Sequence, residues 1–124
     1  MLVLDAGALV AVERMSRDVI ALIKRERLAG RAPVTHGGIV GQVWRGDGRQ
    51  ANLARLLPGL DVEALDVDLG RRAGALLARS RSSDVIDAAL ALLAQDGDEI
   101  LTSDPDDMRV LVAARGVHAD VIEV

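Results

Sequence analysis

Short β-prone runs alternate with stretches of helical spacing along this chain, and that alternation constrains the fold more than any other feature. Met1–Leu4 reads as a short buried strand. Residues 32–35 read as a second short strand or a turn, 62–65 as a third strand, 99–102 as a fourth and 121–124 as the last. Apolar residues at helical spacing fill the intervals: 8–14, 18–28, 39–45 and 52–57. A further helix, carrying Leu69, Ala73, Leu76 and Leu77, is capped by Asp66 or Asp68. The strongest helical pattern is 83–95, and Asp104-Pro105 opens a last helix that closes at Gly116. Strands that alternate with helices predict an α/β fold. Its central parallel sheet has four or five short strands, with helices on both sides. No repeat, linker or low-complexity tract divides residues 1–124, so one domain is expected.

Acidic residues stand where the apolar runs end. Leu2-Val3-Leu4 runs into Asp5, Ser82-Ser83 into Asp84 and Asp87, and Ile100-Leu101-Thr102-Ser103 into Asp104, Asp106 and Asp107. Each has an ordinary structural explanation. Asp5 suits an Asx-turn or helix N-cap, Asp84 with Asp87 resembles a capping box, and Asp106 and Asp107 suit a helix dipole. The joint pattern says more. If the first and fourth strands are neighbours, Asp5 and Asp104 share one crevice, and Asp84 joins them from the intervening helix. Crowded carboxylates repel, and a hard cation such as Mg²⁺ or Mn²⁺ relieves that repulsion with an all-oxygen shell. An ion so placed activates water and stabilises charge on a phosphoryl oxygen.

Composition excludes several alternatives. The chain has no cysteine, which removes disulfides, thiolate zinc sites and a Cys nucleophile. Trp44 is its only aromatic residue, so no multi-residue base-stacking platform is available. Net charge is −4, against a nonspecific polyanion binder. Lys24 is the only lysine and arginine supplies the rest of the basic side. No apolar run is long enough to span a bilayer and no signal peptide is evident, so a cytoplasmic protein is expected. Half of the residues are hydrophobic, and apolar surface left over from a core this small suggests a partner. His36 and His118 lie beside no nucleophile and read as surface or structural residues.

The segments LVLDAGAL, SSDVIDAALALLA and ILTSDPDDM, in this order and spacing, resemble the PIN domain family. The likeness is closest to its small VapC-type ribonuclease toxins, and QVWRGDGRQANLARLL is similar to actinobacterial members. The resemblance implies a Mg²⁺- or Mn²⁺-dependent endoribonuclease, the toxin of a type II toxin–antitoxin pair. It also implies a homodimer silenced by a small VapB-like antitoxin. By position, Asp5, Asp84 and Asp104 look like the catalytic carboxylates. Asp87 helps them hold the metal or competes for the role, and Asp107 is an outer member. The family's second acidic residue, normally Glu, falls at or next to Gln42, a neutral oxygen donor. Reduced metal affinity follows. Arg45, Arg49, Arg81 and Arg109 are candidates for holding RNA phosphates, or else solvated helix faces.

Two rival readings stay open. One is a catalytically silent PIN fold that only binds, for which Gln42 is the main support. The other is a receiver-like phospho-acceptor domain, which the lack of an acidic neighbour to Asp5 and the position of Lys24 disfavour. A haloacid-dehalogenase-like phosphatase needs D-x-D, and Asp5-Ala6-Gly7 fails it.

Overall fold

The computed structural model describes all 124 residues. Its strands are β1 (Leu2–Leu4), β2 (Val34–His36), β3 (Asp61–Glu63), β4 (Glu99–Thr102) and β5 (Asp120–Glu123). Its helices are α1 (Ala6–Glu13), α2 (Arg17–Leu28), α3 (Gly37–Val43), α4 (Ala51–Leu56), α5 (Val67–Ser80), α6 (Val85–Leu93) and α7 (Pro105–Arg115). Single 3-10 turns precede and follow α4.

The five strands form one sheet in the order β3-β2-β1-β4-β5, every pair parallel. This is the α/β architecture that the alternation of elements predicts. Leu2, Val3 and Leu4 are all fully buried. Successive strand residues point to opposite faces, so both faces of the sheet are covered at its centre. One cluster of 25 buried residues links the central strands to the helices, with Leu9, Ile39, Leu53, Leu76, Leu90 and Leu111 among its members. The edge strand β3 contributes nothing to it; all three of its residues are exposed.

Chain order reverses at β1, with β2 and β3 on one side of it and β4 and β5 on the other. That reversal opens a crevice between the carboxyl ends of β1 and β4, the usual ligand position in such sheets. The expected adjacency of the first and fourth strands is therefore present, with Leu2, Val3 and Leu4 paired to Glu99, Ile100 and Leu101.

The element boundaries depart from expectation in places. The 83–95 helix runs only from Val85 to Leu93, because Asp84 is its cap and Ala94 is extended. The longest helix is instead α5, with 14 residues, capped by Asp66 and not Asp68. The third strand begins at Asp61, one residue before Val62, and ends at Glu63.

The outer ends are tied by polar contacts. Buried Glu26 on α2 accepts the Leu2 N–H at 3.1 Å and pairs with Arg31 at 2.8 Å, and the Arg31 contact lowers its carboxyl below the ordinary value. Arg115, at the end of α7, donates to the carbonyls of Ala91 and Ala94 and so closes the C-terminus of α6.

Candidate active site

Asp5 leaves β1 and caps α1. Its Oδ1 accepts the Ala8 N–H at 2.9 Å, and its Oδ2 accepts the Ser103 N–H at 3.1 Å. The side chain is thus both an N-cap and a clip between the carboxyl ends of β1 and β4. It is 4% exposed, yet each oxygen keeps a free lone pair. Gly7 is what lets α1 come this close. A Cβ there would lie 2.5 Å from both Cβ and Oγ of Ser103.

Asp104 begins α7 but makes no side-chain cap bond. Its N–H is satisfied by Thr102 Oγ1 at 2.9 Å. Its carboxylate is left for other partners, and the one it meets is Asp107. The hydrogen bond and negative charge of Asp104 raise the Asp107 carboxyl from its ordinary value. Asp106 instead pairs with Arg109 at 3.2 Å on the exposed side of α7.

Asp84 caps α6 with one oxygen, Oδ1, which accepts from Ile86 N at 2.9 Å and Asp87 N at 3.1 Å. No reciprocal bond from Asp87 closes a capping box. The Asp87 side chain is half-buried and its pKa is pushed up to about 7. Burial is the largest cause, followed by the charges of Asp84, Asp5, Asp104 and Asp107. Carboxylates from three separate segments therefore act on one group. Asp5, Asp84, Asp87, Asp104 and Asp107 form one electrostatic neighbourhood at the β1–β4 crevice.

The donors are chemically suited to a hard cation: all are carboxylate oxygens, and their mutual repulsion is what a cation would relieve. Asp84 Oδ2 and the Asp104 carboxylate have spare acceptor capacity. No group of three or more His, Asp or Glu side chains is drawn together tightly enough to hold an ion as it stands. Gln42 lies exposed on α3, the helix that follows β2.

The four arginines divide. Arg45, two residues beyond the end of α3, folds its side chain back on that helix end and donates to the carbonyls of Gly41, Gln42 and Trp44. Arg109 is held by Asp106. Arg49 and Arg81 are exposed, and Arg81 takes a left-handed conformation (φ 59°) where α5 ends. A groove of about 870 Å³ between α7 and β5 contains none of the site carboxylates, although Arg109 stands in its wall.

Of the two readings open to His36 from sequence, surface or structural, the structural one holds, since it is fully buried; its contact with α6 was not legible there. Its Nδ1 accepts the Gly38 N–H at 3.1 Å, and its Nε2 lies 2.9 Å from the Ile86 carbonyl in the first turn of α6. A histidine that ends a strand and precedes two glycines was the available signal. Gly38 completes the fit, since a Cβ there would come within 2.7 Å of Ile86 Cδ1.

No protein-family model matches the chain, and no curated protein matches it significantly. No helix is long and apolar enough to cross a membrane.

Proposed function

We propose that this chain is a divalent-metal-dependent endoribonuclease of the PIN type, the toxin component of a VapC-like pair. The observation that carries the reading is the convergence of Asp5 and Asp104, at the ends of the paired strands β1 and β4, with Asp84 and Asp87 at the start of α6; the Asp87 carboxyl, pushed up to about 7 by burial and by these neighbours, agrees with it. Carboxylates crowded at the switch point of a parallel sheet are costly to the fold, and a cation-binding role gives them a use. Asp5, Asp84 and Asp104 would hold Mg²⁺ or Mn²⁺, with Asp87 as a further donor once deprotonated and Gln42 as a neutral one. When bound, the ion supplies an activated water and charge neutralisation at a phosphodiester.

The protein's own side chains prepare that chemistry. Asp5 fixes the separation of the β1 and β4 ends through Ser103. Asp84, its Oδ1 engaged with the α6 amides, leaves Oδ2 free to ligate. The Asp87 carboxyl, pushed up to about 7 by burial and its acidic neighbours, would shed its proton as a cation neutralises those charges. Asp107 stands beside Asp104, whose hydrogen bond and charge raise the Asp107 carboxyl from its ordinary value.

The same reading includes a homodimer and a VapB-like antitoxin. A groove of about 380 Å³ between α1, α2 and α4 is in keeping with a protein partner: Met15 and Ile20 are its accessible apolar lining, with Lys24, Arg27 and Arg55 around them. The test is Mn²⁺ calorimetry paired with cleavage of a mixed RNA pool. Mn²⁺ binding that weakens and cleavage that is lost in Asp104→Asn support the nuclease. Absence of both in the unaltered chain favours the silent binding module, for which Gln42 is the argument.

A further inference from the structure

The acidic pocket is built in two halves. Asp5 and Asp104 lie at the ends of β1 and β4 and are clipped together through Ser103. Asp84 and Asp87 come from α6, and no hydrogen bond ties their side chains to the first half. Core packing seats α6 through Ala88, Ala89, Leu90 and Ala91, and its first turn also receives a polar contact from β2. The Gly38 N–H can only donate, so His36 Nδ1 is bare and the ring proton sits on Nε2. That Nε2–H donates to the Ile86 carbonyl at 2.9 Å. Ile86 lies between Asp84 and Asp87, and its own N–H is one of the two that Asp84 Oδ1 accepts. The ring is fully buried, so no water competes for either bond. Thr35, the residue before it, anchors the same strand end to β1 by donating to the Leu4 carbonyl at 2.8 Å.

We propose that His36 is a positioning residue, whose Nε2–H sets the first turn of α6 so that Asp84 and Asp87 face the β1–β4 crevice. The proposal rests on the nuclease reading for its consequence, metal uptake, but not for its geometry. It places control of two carboxylates in a neutral residue at the end of another strand. Outer contacts that orient metal ligands are commonly worth 10–100-fold in affinity.

The two ring nitrogens can be tested separately. His36→Gln keeps a donor near Nε2 for Ile86 and loses the acceptor for Gly38. His36→Asn keeps an acceptor near Nδ1 for Gly38 and loses the donor for Ile86. A positioning role predicts that Mn²⁺ affinity and RNA cleavage stay near the unaltered level in Gln and fall roughly tenfold or more in Asn. Hydrogen exchange of the Ile86 and Asp87 amides should quicken in Asn and stay slow in Gln. Thermal stability, which also reads the lost α3 cap, need not follow that order. If affinity and amide protection instead track stability alone, or fall equally in both variants, the proposal is overturned. If the unaltered chain takes up no Mn²⁺, the nuclease reading fails, and amide exchange alone decides the role of His36 by the same Gln-over-Asn order.

Discussion

Ser103 donates its backbone N–H to Asp5 Oδ2 at 3.1 Å, joining residues 98 apart in the chain at the point where the sheet reverses order. One aspartate therefore caps α1 and closes the crevice. Asp5→Ala removes a cap and leaves two N–H groups without their acceptor, a loss of about 1–3 kcal/mol in unfolding free energy. Urea denaturation of the metal-free protein should show that loss, and an unchanged midpoint would mean that the clip carries no stability. Loss of nuclease activity in this variant is consequently ambiguous between chemistry and fold.

Asp104→Asn separates the two. The Asp104 carboxylate makes no cap bond and is exposed, so the substitution should move stability by no more than about 0.5 kcal/mol. It removes an anion from the pocket, and Mn²⁺ affinity should drop at least about tenfold. Calorimetry on the folded variant checks this. Full affinity with intact stability would remove Asp104 from the ligand set.

Gly7→Ala tests the closeness of α1 to β4. The added Cβ would stand 2.5 Å from Ser103 Cβ and Oγ and 3.0 Å from its N, so one of the two backbones must shift. Overpacking of this kind costs roughly 1–3 kcal/mol. Adding Ser103→Gly removes the two side-chain atoms and should restore a large share of the loss. A double variant no more stable than Gly7→Ala would show that the clash lies elsewhere.

The parallel sheet was legible because apolar strands and helical periodicity alternate, and the β1–β4 adjacency follows from a doubly wound order. The acidic residues were legible because each ends an apolar run. Less legible was what each carboxylate does locally. Asp5 and Asp84 use oxygens on helix amides while Asp104 does not, a difference set by local backbone geometry that no residue pattern announces. The contact of His36 with α6 was not legible because two buried bonds at specific ring nitrogens leave no periodic trace. Arg45 was a candidate for phosphate or for a solvated helix face because charge is visible in sequence, whereas the α3 carbonyls it meets are backbone and leave no such mark. Gln50 is similar: buried, it accepts from Arg45 N at 2.8 Å and Gly46 N at 3.0 Å and fixes the loop after α3.

Asp87 gives the metal-free protein a defined pH dependence. Its carboxyl titrates near 7 in the fold and near 3.8 when unfolded, so between those values the folded state holds more protons. Stability from this group is complete below the unfolded value and is lost as pH rises through 7. One proton limits the slope to about 1.4 kcal/mol per pH unit. Buried His36, whose pKa is lowered by desolvation, acts oppositely: its contribution is present above its ordinary 6.5 and is lost on acidification. Subtracting urea curves of Asp87→Asn from those of the unaltered chain cancels the histidine. The difference should favour the unaltered chain increasingly from pH 7 down to pH 4.5, and a flat difference would place the Asp87 pKa near that of an ordinary carboxylate.

Gln42 offers the sharpest test of how far the pocket extends. It is exposed on α3, whose first turn is bound to α6 through His36, Gly38 and Ile86. Gln42→Glu adds one negative charge without changing side-chain length. Within ligating reach of a divalent ion, a unit charge is worth roughly 1–2 kcal/mol even at a water-like dielectric, about tenfold in affinity. Mn²⁺ binding should therefore tighten about tenfold, and the Asp87 carboxyl should rise further in the metal-free protein because another anion faces it. Arg45, three residues on, can pair with the new carboxylate and blunt both effects, so the measurement is repeated with Arg45→Ala in each background. Tighter binding in both backgrounds brings α3 into the metal site. Unchanged Mn²⁺ affinity in both would confine the site to the carboxylates after β1 and β4 and on α6.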